Sequence, residues 1–350
     1  MILCRPGDHI SDDGWEEFRA ADVAVWKSAC THLASKTYQN DQWDVTVSID
    51  WRPAVRRLQH NHKITARGFE ALRSSKTYEV SIWKKYRHSD VSIPCKVSAR
   101  STGKEVQSRF QPSSYAANFV YDVFLALNLA EPGSCDFFKA RIASKSPTSP
   151  LEIDLANYWF DLSFLNGRKN KWPAPTKLPL HVICDWSRHV RVGLSQIPNN
   201  QMEKVLFALW HLSVSKASPN DVIWIFYGLE TLFDTKAGEN FRTLHQRIAA
   251  LLSATKEEEK VLKKNLRNLY DLRSAFVHGG LEVIHPLHDE SCDSRVDEKY
   301  WRVENACEFG FSVLLRSLQE VISRNLYALR YEERIISDAV GNLGQSPGQS

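Results

Sequence analysis

The sequence predicts an α+β N-terminal region over residues 1–185, an all-α helical bundle over 186–340 and a disordered tail over 341–350. Three observations carry this reading. Residues 43–50 alternate polar and apolar side chains with period two, the mark of a half-buried strand. From Asn199 onward, apolar residues recur at i, i+3, i+4 and i+7, as in helices that bury one face. Between these regimes, residues 143–150 and 166–179 are rich in Pro, Ser, Lys and Asn and read as loops or linkers, which sets the boundary near residue 185.

In chain order, Ser11 or Asp12 caps a helix over 13–32, with Trp15, Phe18, Ala21 and Val25 at helical spacing. Strands are expected over 43–50 and 77–83, and residues 91–99 are expected to pair with the second of these. Ser113 or Ser114 opens an apolar helix through Tyr121, Phe124 and Leu127, which Glu131-Pro132-Gly133 stops. A short strand follows over 137–142. Five helices are then expected: 199–216 with Met202, Val205, Leu206, Leu209 and Leu212, 221–233 with Phe226 and Phe233, 241–252 with Leu244, Ile248 and Leu251, 256–278, and 303–336 with Phe309, Phe311, Leu314 and Leu318. Short connections between them describe a bundle.

Composition narrows the function classes. Apolar residues at 43% and charged residues at 25% are ordinary globular values, so the chain can bury a core. A net charge of +4 permits anionic partners without requiring them. Basic residues gather in Arg52, Arg56, Arg57, His60, His62, Lys63 and Arg67, and again in Lys84, Lys85, Arg87 and His88, with Trp51, Trp83 and Tyr86 among them. Arg56, Arg57, Lys84 and Lys85 are therefore candidate substrate-binding residues for a nucleic acid, and a solvated surface with the aromatics turned inward is the alternative. Seven cysteines contain no C-x-x-C pair and read as free thiols of a reducing compartment. The start Met-Ile-Leu-Cys-Arg-Pro lacks a secretory apolar region, and the apolar run at 222–226 is too short for a bilayer, so a cytoplasmic chain with no membrane partner is expected.

His285, His288 and Cys292 have a spacing that could hold a metal, but they fit no established zinc pattern and read better as a polar loop; no metal and no cofactor are expected. G-x-x-x-x-G-K-[ST], G-x-G-x-x-G, G-x-S-x-G and H-E-x-x-H are all missing. Nucleotide-hydrolysing, dinucleotide-dependent, elbow-serine and zincin chemistries thus have no support.

The expected helix over 256–278 carries the most informative residues. Leu262, Leu266, Leu269, Leu272 and Phe276 form its core stripe, and Arg273 sits at the margin of that stripe. A guanidinium there calls for an anionic partner: Glu230, Asp271 or a bound phosphate. His278 stands just before Gly279-Gly280, where the helix must end. Five residues give a rise of about 7.5 Å and a turn of about 140°, so both side chains can reach one ligand at the helix end. A scissile phosphodiester suits that space, His278 moving protons and Arg273 holding charge on phosphorus. A structural cap, with Arg273 paired to Glu230, is the alternative. Arg57 and His62 repeat the spacing without the context, so spacing alone proves nothing.

Tyr227-Gly228-Leu229-Glu230-Thr231-Leu232-Phe233, then Arg247-Ile248-Ala249-Ala250-Leu251-Leu252, then Leu269-Tyr270-Asp271-Leu272-Arg273-Ser274-Ala275-Phe276-Val277-His278-Gly279-Gly280 resemble the three blocks of the Apea-like HEPN family. The resemblance covers the C-terminal 150 or so residues. It implies a HEPN helical bundle and a metal-independent endoribonuclease of a prokaryotic antiphage defence or toxin system. Its product ends would be a 2′,3′-cyclic phosphate and a 5′-hydroxyl. It further implies RNA as partner, a homodimer through the HEPN bundle, and a regulatory partner or phage-derived trigger. Arg273 and His278 become the catalytic pair, supported by Glu230, Arg247, Tyr270, Asp271 and Ser274, the last standing where many active members carry Asn, Asp or His. The N-terminal 185 residues would sense or bind the target. A non-catalytic module that binds RNA, nucleotide or a protein partner is the alternative.

Overall fold

The computed structural model describes residues 12–74, 91–103, 110–143, 150–191, 193–214, 218–235, 241–285, 287, 289 and 291–331. The expected strand over 77–83, Lys84, Lys85, His288 and the tail at 341–350 lie outside these residues.

Helix α1 spans Asp12–His32, and β1 (Ser35–Gln39), which carries no clear sequence signal, pairs antiparallel with β2 (Trp43–Ile49). The period-two pattern does what it predicts: Val45, Val47 and Ile49 are buried and the residues between them are not. Helix α2 (Arg52–Ser74) follows directly. Strand β3 (Cys95–Ser101) begins later than the 91–99 segment and pairs with β2, giving a sheet ordered β1-β2-β3.

Helix α3 (Pro112–Ala130) buries Tyr115, Phe119, Val123, Phe124 and Leu127 and packs on both sheets. Its stop is built by Asn128, whose amide nitrogen donates to the Cys135 carbonyl at 2.9 Å and whose oxygen accepts from Gly133 N–H at 3.1 Å. Gly133 takes φ +83° there, a conformation that favours glycine. Strands β4 (Phe137–Ile142) and β5 (Leu151–Leu155) form a separate antiparallel hairpin.

Two helices then occupy sequence read as loop and boundary. Helix α4 (Tyr158–Asn170) runs into the 166–179 stretch, and α5 (Leu180–Val190) runs across residue 185. The reason lies in packing. Trp159 and Phe160 are almost wholly buried, and Ile183, Trp186 and Val190 fill the same core from α5. Proline and lysine content at 171–179 marks only the connector between them.

The five C-terminal helices are α6 (Gln201–Ser213), α7 (Asp221–Leu232), α8 (Phe241–Leu251), α9 (Lys256–Val277) and α10 (Arg295–Ser323). The last starts eight residues before the expected position, and its described course ends well before residue 336. Helix α9 opens with a capping box in which Thr255 accepts from Glu258 N–H and Glu258 accepts from Thr255 N–H at 2.8 Å. Helices α7 and α10 approach closely where each carries glycine: Gly228 faces Leu314, and Gly310 faces Leu269 and Ile225. Among the described residues no helix is long and apolar enough to cross a membrane.

Candidate functional site

Helix α9 buries Leu262, Leu266, Leu269 and Leu272, while Phe276 is only half-buried because it lies in the last turn. Arg273 is on the edge of that stripe, as its spacing requires. Its guanidinium lies 3.9 Å from a Glu230 carboxylate oxygen on α7 and 5.7 Å from the centre of the Phe226 ring. Both charged side chains are more than a third exposed, so the ion pair is screened and weak. Among the described residues Arg273 makes no hydrogen bond, which leaves most of its donors open to an anion. Asp271, the other carboxylate considered for it, instead approaches Arg267 at 3.3 Å.

The helix ends as the Gly-Gly pair predicts. Gly279 takes φ +72°, Gly280 N–H donates to the Ala275 carbonyl at 2.7 Å, and Gly279 N–H reaches the Phe276 carbonyl at 3.4 Å. This is a Schellman stop, and it places His278 at the C-cap with its side chain exposed. Ser274 is half-buried, and its carbonyl accepts the His278 N–H at 3.0 Å.

The remaining expected residues divide. Tyr270 packs edge-on against Phe226 and Phe241, each at 6.0 Å, and so fixes the wall beside Arg273. Arg247 lies against the C-terminus of α7. It donates to the carbonyls of Phe233 at 3.0 Å and Asp234 at 2.8 Å, closing the C-terminus of α7, and stacks over Tyr331 at 4.5 Å. Its role is to hold the helix that carries Glu230. Arg56 and Arg57 lie far along the chain on α2, the first exposed and the second half-buried. His62, which shares the spacing of His278, is buried at 2% exposure and faces the core. Among the described residues no group of three or more His, Cys, Asp or Glu side chains gathers in a way that could hold a metal ion.

A deep cleft adjoins the same helix on another side. It encloses about 790 Å³ between α9 and the N-terminal half of α10, and its lining includes Asp271, Ala275 and Gly280 but neither Arg273 nor His278. Trp159 and Glu304 also line it. Glu304 accepts hydrogen bonds from Tyr158 and from Tyr300, the latter at 3.2 Å, and burial pushes its carboxyl pKa up. Behind it Asp221 accepts from the Trp159 indole at 3.0 Å and from Ser218 N–H at 2.9 Å. Burial raises Asp221 to about 6, and burial with the neighbouring Glu304 charge raises Glu308 to about 7. A second buried ionic cluster joins Asp122 to Lys36 at 2.7 Å, to the Tyr38 hydroxyl at 3.0 Å and to Arg191 at 3.4 Å, with Arg191 over the Trp210 ring at 4.6 Å. Sequence reasoning missed both clusters. Their partners come from helices and strands up to 146 positions apart, which no local spacing encodes.

No family model matches the chain, and neither does any curated protein or solved structure.

Proposed function

We propose that the C-terminus of α9 is the active centre of a HEPN-type endoribonuclease that works without a metal, in a prokaryotic defence or toxin setting, as a homodimer in the cytoplasm. One observation carries this reading: an arginine only loosely paired at the core edge and an exposed histidine at a glycine-stopped helix end stand within the last two turns of one helix. In the reaction the ribose 2′-oxygen attacks the adjacent phosphorus while the bond to the 5′-oxygen breaks. His278 takes the 2′-hydroxyl proton, and water gives a proton to the leaving 5′-oxygen. Arg273 balances the charge that builds on the pentacoordinate phosphorus. The second protomer supplies a second such pair to a shared cleft, and a partner or phage-derived trigger controls it. The N-terminal half supplies target recognition.

Purified chain incubated with RNA and EDTA tests it. The expected products are 2′,3′-cyclic phosphate and 5′-hydroxyl ends, and His278→Ala is expected to lower the rate at least about 10²-fold, the usual contribution of a general acid or base. Intact RNA, or cleavage unaffected by His278→Ala, overturns the reading.

The Glu230 contact favours a second reading, in which Arg273 is spoken for and the helix end binds RNA, nucleotide or a protein partner without cutting. Glu230→Gln separates the two. It removes the charge that faces Arg273, so it changes the rate of cleavage in the first reading and leaves the second without any activity to change.

A further inference from the structure

The charge of this protein is concentrated on one helix. Between Arg52 and Ser74, α2 carries six arginines and lysines against the single acid Glu70, a local charge of +5 where the entire chain has +4. Arg56, His60, Lys63 and Arg67 follow one another at i, i+4, i+7 and i+11, and all four are exposed. That spacing aligns them along one ridge about 16 Å long. Among the described residues none of the four makes an ion pair within 4 Å, although Arg56 is near enough to Asp50 to help Arg52 hold its carboxyl low. Arg52, at the N-terminal end of the ridge, is held by Asp50 at 2.8 Å. A hollow of about 510 Å³ there is lined by the Arg52–Asp50 pair and by Lys96 of the edge strand β3, which adds one further cation beside the ridge.

The opposite face of α2 decides what kind of polyanion fits. Ala54, Val55, Leu58, Asn61, His62 and Thr65 are buried in the core, so the helix has no apolar face to insert into a bilayer. Between Arg52 and Arg67 there is no Phe, Tyr or Trp, so unpaired bases find no stacking platform on this stretch. What remains is a straight, rigid row of cations, which matches phosphates set at high density along a stiff rod. We infer that the exposed ridge of α2 docks the sugar-phosphate backbone of a nucleic-acid duplex, independently of base sequence and of any cleavage at His278.

Fluorescence anisotropy on the full chain tests this, with a 20-base-pair RNA duplex, the corresponding single strand and phosphatidylserine vesicles as probes, the duplex being roughly three to four times as long as the ridge. The duplex is expected to bind tightest, with a slope of log K against log salt of about −3 for three to four phosphate contacts. The variant carrying Arg56→Glu, Lys63→Glu and Arg67→Glu is expected to lose at least about 30-fold in duplex affinity and most of that slope, with an unchanged circular dichroism melt. Equal binding by this variant, a flat salt response, or tighter binding to the single strand or the vesicles overturns the inference. The His278→Ala chain keeps the two readings apart: it should bind duplex like the parent whether or not the parent cleaves RNA.

Discussion

Arg273 and Asp221 show how differently two charged residues can be placed on neighbouring helices. Arg273 is loosely paired and partly exposed, so its guanidinium can turn to a ligand at little cost. Asp221 is 1% exposed and receives the Trp159 indole and the Ser218 N–H, yet burial still raises its pKa to about 6. A carboxyl raised in the folded state binds its proton more tightly there than in the unfolded chain. The stability it contributes is complete below its unfolded pKa of about 4 and is lost as pH rises through about 6. Glu308, raised to about 7, acts in the same direction over a slightly higher window. Asp50 and Asp293, lowered to about 2 by Arg52 and Arg295, lose their charge only in stronger acid and leave this window untouched. The melting temperature is thus expected to fall between about pH 4 and about pH 7, and Asp221→Asn should remove part of that fall, on the order of 1–3 kcal/mol. Melting scans across the range check it, and an Asp221→Asn slope equal to that of the parent would count against the assignment.

At the scale of elements, legibility followed burial on a single face. Strand β2 and helices α3, α6, α7, α8 and α9 each bury one stripe or one alternating set, and their positions could be read within a few residues. Helix α2 was hidden because its apolar positions, Ala54, Val55 and Leu58, are small and sparse among arginines, and polar Asn61, His62 and Thr65 complete its buried face. Helix α4 was hidden because it runs into the 166–179 stretch, whose Pro, Lys and Asn content reads as loop. Gly167 within that stretch lets the Pro175 ring and the Ala174 backbone pack where a Cβ would be, at 2.9 and 3.0 Å. The candidate site was legible where it depends on one helix: Arg273 on the stripe margin and His278 at the Gly-Gly stop. It was not legible where it depends on neighbours: that Arg247 donates to the carbonyls that end α7 is set by tertiary packing and not by local spacing. Close helix approach has the same character. A Cβ on Gly310 would stand 2.9 Å from Ile225 Cγ2 and closer still to Leu269, and both of those side chains are fully buried. Gly310→Ala therefore forces α10 away from α7 and α9 and should cost about 1–3 kcal/mol. Chemical denaturation measures this, and a midpoint equal to that of the parent would show that the helices yield freely.

For the whole molecule, the question is whether the bundle after residue 185 stands without what precedes it. An unbroken aromatic chain crosses that point: Trp26 meets Phe137 at 6.3 Å, Phe137 meets Phe124 at 6.3 Å, Phe124 meets Phe160 at 5.9 Å and Phe160 meets Phe311 of α10 at 5.0 Å. Polar contacts cross it as well. Gln319 of α10, fully buried, donates to the carbonyls of Leu129 at 3.0 Å and Thr176 at 2.6 Å and accepts from Thr176 N–H at 2.8 Å. A fragment starting at residue 186 strips Trp159 and Phe160 from α10 and leaves Asp221, Glu304 and Gln319 without these partners. Deleting two buried aromatics costs about 6–10 kcal/mol by itself, comparable to the whole stability of a folded domain. The fragment is expected to lack a cooperative thermal transition, whereas the full chain melts in one step. A fragment that melts cooperatively near the parent temperature would show that the bundle is self-sufficient. Should it fail to fold, the helix end bearing Arg273 and His278 depends for its rigidity on the N-terminal half, and a partner that loosens α4 from α10 could then control the site from a distance.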